Sequence, residues 1–369
     1  MFPANFKKTG NIRILTGILT FAVVFLVGIN SNFAVAAEGM EVPISGVWYM
    51  SYLAGKDGGA DVNKFYVHRG YLNFKPKFSS SLSARITPDI THDSTGDVKV
   101  RLKYMYMNFN LPSNDYFTKS YVEFGLVHRP WLDFEEHIDN YRMQGTMYLE
   151  RSHLFNSADF GVTFVTLLGG EVDEDYQKNI SSKYPGRYGS VALGLYNGGG
   201  YHAHEKNINK VFEGRFTLRP MPDHLPGLQL SYFGIFGKGN IAAEPDWKVN
   251  TFFLSYEDER FVATGTYYNG KGDSKGKMLD GLGNPYDQSG FSLFGEVNIP
   301  ESKFSLIGRY DSFDPNTSVN DNLVNRRILG VVYKFAGKHK ALLDFDFAED
   351  QNGDVELNKL TKFTIEVHF

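Results

Sequence analysis

The chain has 369 residues, a formal charge of −4, no cysteine, 22 Tyr and 31 Phe. A mildly acidic chain is not a general nucleic-acid binder, and a chain without thiols cannot rest on a disulfide framework. A slightly negative mean hydropathy beside so many aromatics suits segments in which every second residue is apolar.

In chain order, Lys7, Lys8 and Arg13 come first, then a nearly unbroken apolar run from Ile14 to Ile29, then S-N-F-A-V-A-A-E. Val35 and Ala37 fit the −3 and −1 positions of a cleavage site. Residues 1–37 therefore read as a secretory signal peptide and 38–369 as the mature chain. The apolar run is shorter than the roughly 20 residues a helical span needs. Losing its three cations takes the formal charge from −4 to about −7.

Residues 38–369 parse into strand-like segments. Their cores are 45–55, 64–75, 80–91, 97–110 and 119–129, then, after a long interruption, 159–168, 187–197, 210–220, 227–237, 248–257, 260–269, 289–299, 303–312, 324–336, 340–348 and 359–369. Most are about 10 residues, the length of a tilted transmembrane strand. Short connections such as 256–260, 299–303 and 336–340 alternate with long Gly/Asn/Asp-rich ones at 270–288, 313–322 and 349–358. The pattern predicts an all-β fold: a transmembrane up-and-down antiparallel β-barrel of about 16 strands. Residues 169–186 fall on the short-turn side yet are long, so 18 strands remain open.

A charged side chain facing lipid at mid-depth costs roughly 2–4 kcal/mol, so charges in strand centres should face the lumen. This places Val98, Val100, Leu102, Tyr104 and Tyr106 outward and Lys99, Arg101 and Lys103 inward. Arg69, Arg85, Arg215 and Arg309, with Lys75 and Lys77, extend a basic strip, and Glu296, Asp344, Asp346 and Glu366 form an opposite acidic wall. Val47, Tyr49 and Ser51 are assigned to the outer surface. Residues 130–158 are too long and too rich in Trp, Tyr, Phe and Leu for a solvated loop. They read as a loop folded into the lumen, carrying Asp133, Glu135, Glu136, Asp139, Arg142, Glu150 and Arg151, with Arg129 just before it.

The last segment, K-L-T-K-F-T-I-E-V-H-F, alternates Phe363, Ile365, Val367 and Phe369 with Lys362, Thr364, Glu366 and His368. It resembles the C-terminal sorting strand of bacterial outer-membrane barrels, which implies the outer membrane of a Gram-negative bacterium, with lipid as partner.

Five further pieces occur in order: G-L-V-H-R-P-W-L-D-F-E-E, Y-L-E-R-S, N-S-A-D-F-G-V, Y-G-S-V-A-L-G-L-Y-N-G-G-G and E-K-N-I-N-K-V-F-E-G-R-F-T-L-R-P. Through Gly125, Pro130, Glu150, Arg151, Ser152, Gly161, Gly194, Asn197, Gly198, Gly200, Asn207, Lys210, Gly214, Arg215 and Pro220, this stretch resembles the phosphate-selective porin O/P family. The resemblance implies a diffusion porin for small hydrophilic solutes or ions, a homotrimer, and an inward third loop. A phosphate filter needs a dense cation cluster, whereas this loop has Arg142 and Arg151 against five carboxylates, so the basic strip leads us to expect at most a weak anion preference. The rival expectation is a non-conducting surface barrel acting as an adhesin or structural protein. No enzyme, cofactor or metal is expected. Ser152 and His153 are adjacent and do not make a nucleophile–base pair, and His202, His204 and Glu205 read as a solvated loop.

Overall fold

The structure, a computed structural model, describes residues 41–93, 95–350 and 356–369. The expected signal peptide, 1–37, lies outside the described residues, as does the middle of the 349–358 connection. Sixteen strands are present among the described residues: β1 (Ile44–Asp57), β2 (Ala60–Phe74), β3 (Leu82–His92), β4 (Val98–Asn110), β5 (Phe117–His128), β6 (Ala158–Leu168), β7 (Gly189–Tyr196) and β8 (Val211–Leu218) form the first half. The second half is β9 (Gln229–Lys238), β10 (Asp246–Glu257), β11 (Phe261–Lys271), β12 (Asp287–Asn298), β13 (Phe304–Asp314), β14 (Val324–Ala336), β15 (His339–Asp350) and β16 (Glu356–His368). Each pairs antiparallel with its sequence neighbours, and β16 returns to β1 to close the barrel. Closure leaves no sheet edge with unpaired backbone groups.

The last strand shows why this sequence closes as it does. Phe363, Ile365 and Val367 are exposed outward while Lys362, Thr364 and Glu366 are buried inward. The same inversion runs along β15, where Leu343, Phe345 and Phe347 face out and Asp344 and Asp346 face in. Apolar outside and polar inside is the reverse of a water-soluble sheet and is what a hydrocarbon surround selects. The closing seam is tight. Gly46 and Phe369 exchange backbone hydrogen bonds of 2.8 and 3.1 Å, and the Phe369 ring meets Trp48 edge-on at 5.6 Å. That ring also lies over Gly46 so closely that a Cβ there would collide with it.

Two assignments of face are corrected. Tyr49 and Ser51 point inward and Trp48 and Met50 outward. Cross-strand partners share a face, and Tyr49 and Ser51 pair with inward Glu366 and Thr364. Val47, paired with His368, is half-buried and belongs to the same inward set. On β4, Val98, Val100 and Leu102 do face out, but Tyr104 is buried and Tyr106 half-buried, and both turn inward beside His128. The register shifts at Thr87/Pro88, which pair with Tyr104 and Leu102 and leave Lys103 opposite no residue. Proline has no N–H for the ladder and residues flanking such a bulge change parity.

The connections settle the strand count. Those after β10, β12 and β14 are short and share one end of the barrel with the β6–β7 connection. That connection, 169–188, is an insertion holding a short helix, here α3 (Glu174–Asn179), and no additional strand. No helix among the described residues is long and apolar enough to cross a membrane; the strands do the crossing.

Candidate pore constriction

The loop between β5 and β6, the third at its end of the barrel, runs through the lumen. It contains α1 (Leu132–Ile138), a 3-10 turn (Arg142–Gln144) and α2 (Tyr148–Arg151). Its apolar residues need a dry surface, and the inner wall supplies one. Trp131, Leu132, Phe134, Leu149, Leu154 and Phe155 pack against Phe233, Ile235, Trp247, Val249, Phe253 and Tyr268 of β9–β11. The Trp131 ring stacks on Phe233 and meets Phe253 edge-on, both at 5.2 Å. Burying these side chains stabilises the docked loop by about 1.5–3 kcal/mol each.

The loop tip crosses to the far wall. Lys340 Nζ donates to the Asn140 carbonyl at 2.6 Å, Lys362 Nζ donates to the Gln144 carbonyl at 2.7 Å, and the Tyr141 hydroxyl donates to Glu296. Tyr141 and Met143 pack there with Phe294, Ile307, Val332 and Leu342. On the β2–β4 wall Tyr71 joins the same cluster, while Arg69 and Arg101 stay partly exposed.

On that wall Arg69 and Arg101 both bind the fully buried Asp89, at 3.0 and 2.7 Å. Asp89 shares the inward parity of Arg85 and Thr87 on β3, so alternation from Arg85 would have found it. Tyr201, from the β7–β8 loop, folds over the pair, its hydroxyl 3.4 Å from Asp89 and its ring beneath Arg101. Lys103 is buried and donates to the Tyr71 hydroxyl at 3.2 Å. Arg85 donates to Asn73 at 2.8 Å and lies 2.9 Å from His128. Lys99 is exposed, near the mouth.

Facing them from the loop is Arg142, 3.3 Å from Glu136 and 4.0 Å from Glu150. Although burial alone would pull its guanidinium down, Tyr71, Glu150 and Glu136 hold it above the ordinary arginine value. Glu136 and Glu150 keep part of their surface open.

Other expected pore-lining residues lie elsewhere. Arg129 is buried in an ion pair with Glu213, its Nε donating at 2.7 Å. Arg215 is fully buried beneath the loop, donating to the Pro130 carbonyl at 3.0 Å and to Ser190 at 2.9 Å, with the Phe134 ring 4.1 Å away. Arg309 is enclosed between Asp139 and Asp311. Glu135 is buried and accepts from Trp131 Nε1 at 2.7 Å, and burial pushes its carboxyl up to about 8, with Arg309 opposing. Burial likewise raises Asp139 to about 6 against the pull of Arg309. Arg151 pairs with Asp311 at 2.8 Å on the far wall and is lowered to about 9 by burial and the nearby Arg309.

The acidic wall is not an unopposed one. Asp344 meets Lys362 at 3.2 Å, Glu296 meets Lys334 at 2.7 Å, Glu366 meets Lys340 at 3.6 Å, and Asp346 receives Arg326 Nε at 2.7 Å. Each acid has a cation on an adjacent or nearby strand, so the expectation of cations on one side and acids on the other is corrected.

No protein-family model matches the sequence, and no curated protein matches it either. Solved structures do match. The anion-selective porin from Comamonas acidovorans has a TM-score of 0.60 at 10% identity, over 89% of this chain and 100% of that one. The outer membrane channel DcaP of Acinetobacter baumannii gives 0.58 at 11%, over 90% and 99%. OmpT of Vibrio cholerae, in its trimer form, gives 0.55 at 14%, over 90% and 99%. At these identities the likeness establishes the fold: a sixteen-strand barrel of the outer-membrane porin type.

Proposed function

We propose that the protein is a passive diffusion channel in the outer membrane of a Gram-negative bacterium, admitting small hydrophilic solutes or ions. One observation carries the reading. The inward loop is fixed to both the β9–β11 wall and the β12–β16 wall, whereas on the β2–β4 wall the guanidinium-bearing side chains of Arg69 and Arg101 keep part of their surface open to the lumen. A non-conducting barrel would have reason to bury them.

The neighbours in fold support the reading, since two of them are described as an anion-selective porin and an outer membrane channel. A weak anion preference fits a wall where Arg69 and Arg101 share one carboxylate, Asp89. Phosphate selectivity has less support. Arg215, one of the positions matched to the phosphate-selective family, is enclosed by the loop and serves packing. A homotrimer is supported by the trimer form of the Vibrio OmpT.

The test is single-channel recording of purified, folded protein in a planar bilayer. Ohmic steps in several salts are expected. A folded barrel that stays silent in all of them would favour the adhesin or structural reading instead.

A further inference from the structure

The insertion at 169–188 sits at the end of the barrel opposite the loop, where the turns are short. Part of it turns into the barrel. Val172, Tyr176 and Tyr184 are buried. Tyr176 packs beneath the Arg219 guanidinium at 5.4 Å, and Arg219 Nε donates to the Gly186 carbonyl at 3.2 Å. Tyr184 reaches the loop itself. Its ring meets Phe134 edge-on at 5.6 Å, and its hydroxyl donates to Asp133 at 2.7 Å. The neighbouring Lys183 binds the same carboxylate at 3.1 Å.

Asp133 is thus a shared anchor. His128 and His137 also lie within 3.8 and 4.0 Å of it. Burial would raise its carboxyl, but Lys183, the two histidines and the Tyr184 hydroxyl outweigh that and hold it well below the usual range. The backbone shows the same demand. Tyr184 has φ +50°, a left-handed conformation that is unfavourable for any residue with a Cβ. The docked contacts compensate for it.

Between this insertion and the β2–β5 wall lies a cavity of about 230 Å³. Lys75, Lys77, Arg85 and Lys183 line it, together with Glu123, His128 and Asp133. Glu123 is taken by His128 at 2.9 Å and Asp133 by Lys183 and Tyr184. Burial, together with the charges of Arg85 and Lys183, lowers the Lys75 ammonium, as expected where cations crowd.

We propose that residues 169–188 form a second constriction element, pinned to the inward loop through Asp133, and that solutes leave through the cavity beside it, where Lys183, Lys75 and Arg85 favour small anions. This rests on the channel reading and names the solute charge it favours. The loop narrows the path from one end, and the insertion narrows it from the other. A low-dielectric outlet focuses the field of its fixed charges on passing ions.

Two variants test it by reversal potential in a low-salt KCl gradient. Lys183→Glu should move the potential toward cations, and Lys75→Glu/Lys183→Glu should move it further. Replacing 173–183 by a short Gly-Ser turn should raise single-channel conductance. If that variant does not fold, the two charge variants decide the matter alone. A conducting wild type whose potential is unmoved by both charge variants overturns the outlet and leaves the channel reading standing. A folded wild type that never conducts removes the channel reading itself.

Discussion

The inner walls of β8–β11 and β2–β4 belong to one barrel and obey opposite rules. On β9 and β10, the inward positions include Phe233, Ile235, Trp247, Val249 and Phe253, all buried under the loop. On β2–β4 they include Arg69, Tyr71, Arg85, Asp89, Arg101 and Lys103. The outer faces of both walls are apolar and alike. The inner face therefore reports what it touches: a dry wall marks where the loop docks, and a charged wall borders the proposed path. Polar groups on the dry wall, such as Arg129, Glu213 and Arg215, are held in partnered contacts because an unpartnered charge there would be costly.

The buried Arg129–Glu213 pair should carry the largest effect on stability. Arg129→Ala leaves Glu213 charged and enclosed, which should cost about 3–5 kcal/mol. The expected outcome is a lower thermal midpoint by circular dichroism and a loop sensitive to protease. Arg129→Met combined with Glu213→Leu should recover much of the loss, since the surrounding wall is apolar. A single variant as stable as the wild type would show that the dry wall tolerates a lone charge.

Titration of the docked loop should have a smaller effect. Glu135 and Asp139 lie on the docked side, with carboxyls raised by burial to about 8 and about 6. Both are raised above their ordinary values, so their contribution to docking is complete below the normal carboxylate range. It is lost as pH rises through about 6 and then about 8, when each must ionise in place. Raising pH from about 5 to about 9 should loosen the loop and increase channel current noise. Glu135→Gln should remove the upper part of that response and leave the lower. Noise that grows on acidification instead would contradict the assignment.

Much of this was legible beforehand. Period-2 alternation placed all sixteen strands, and the terminal K-F-T-I-E-V-H-F fixed its own faces correctly. The aromatic content of 130–158 placed the loop inside. What failed did so for physical reasons. Parity propagates along a strand until a bulge resets it, and Pro88 resets β4 at Lys103, which hid the inward turn of Tyr104 and Tyr106. Charge pairing across strands depends on register, which a single segment does not carry. Asp344–Lys362 and Asp346–Arg326 thus became visible once β14, β15 and β16 were aligned. One signal was available and unused: apolar residues at both parities of β9 and β10, such as Phe233 beside Tyr232 and Phe253 beside Phe252, imply a wall with apolar neighbours on both sides.

The smallest expected effect concerns the charged wall itself. Replacing Arg101 and Lys103 together by Ala should shift the reversal potential toward cations in a low-salt gradient. The shift should be modest. Arg69 stays on Asp89 when Arg101 is removed, and Lys103 is screened from the path by its place on Tyr71. At about 1 M salt, where the Debye length is roughly 3 Å, it should shrink further. Asp89→Asn provides the opposing arm. It frees two guanidinium groups from the carboxylate they share and should move the potential toward anions. If both variants moved the potential in the same direction, the β2–β4 wall would be acting through loop position rather than through its own charge. The contrast between a dry wall that holds the loop and a charged wall that lines the proposed path would then have to be abandoned.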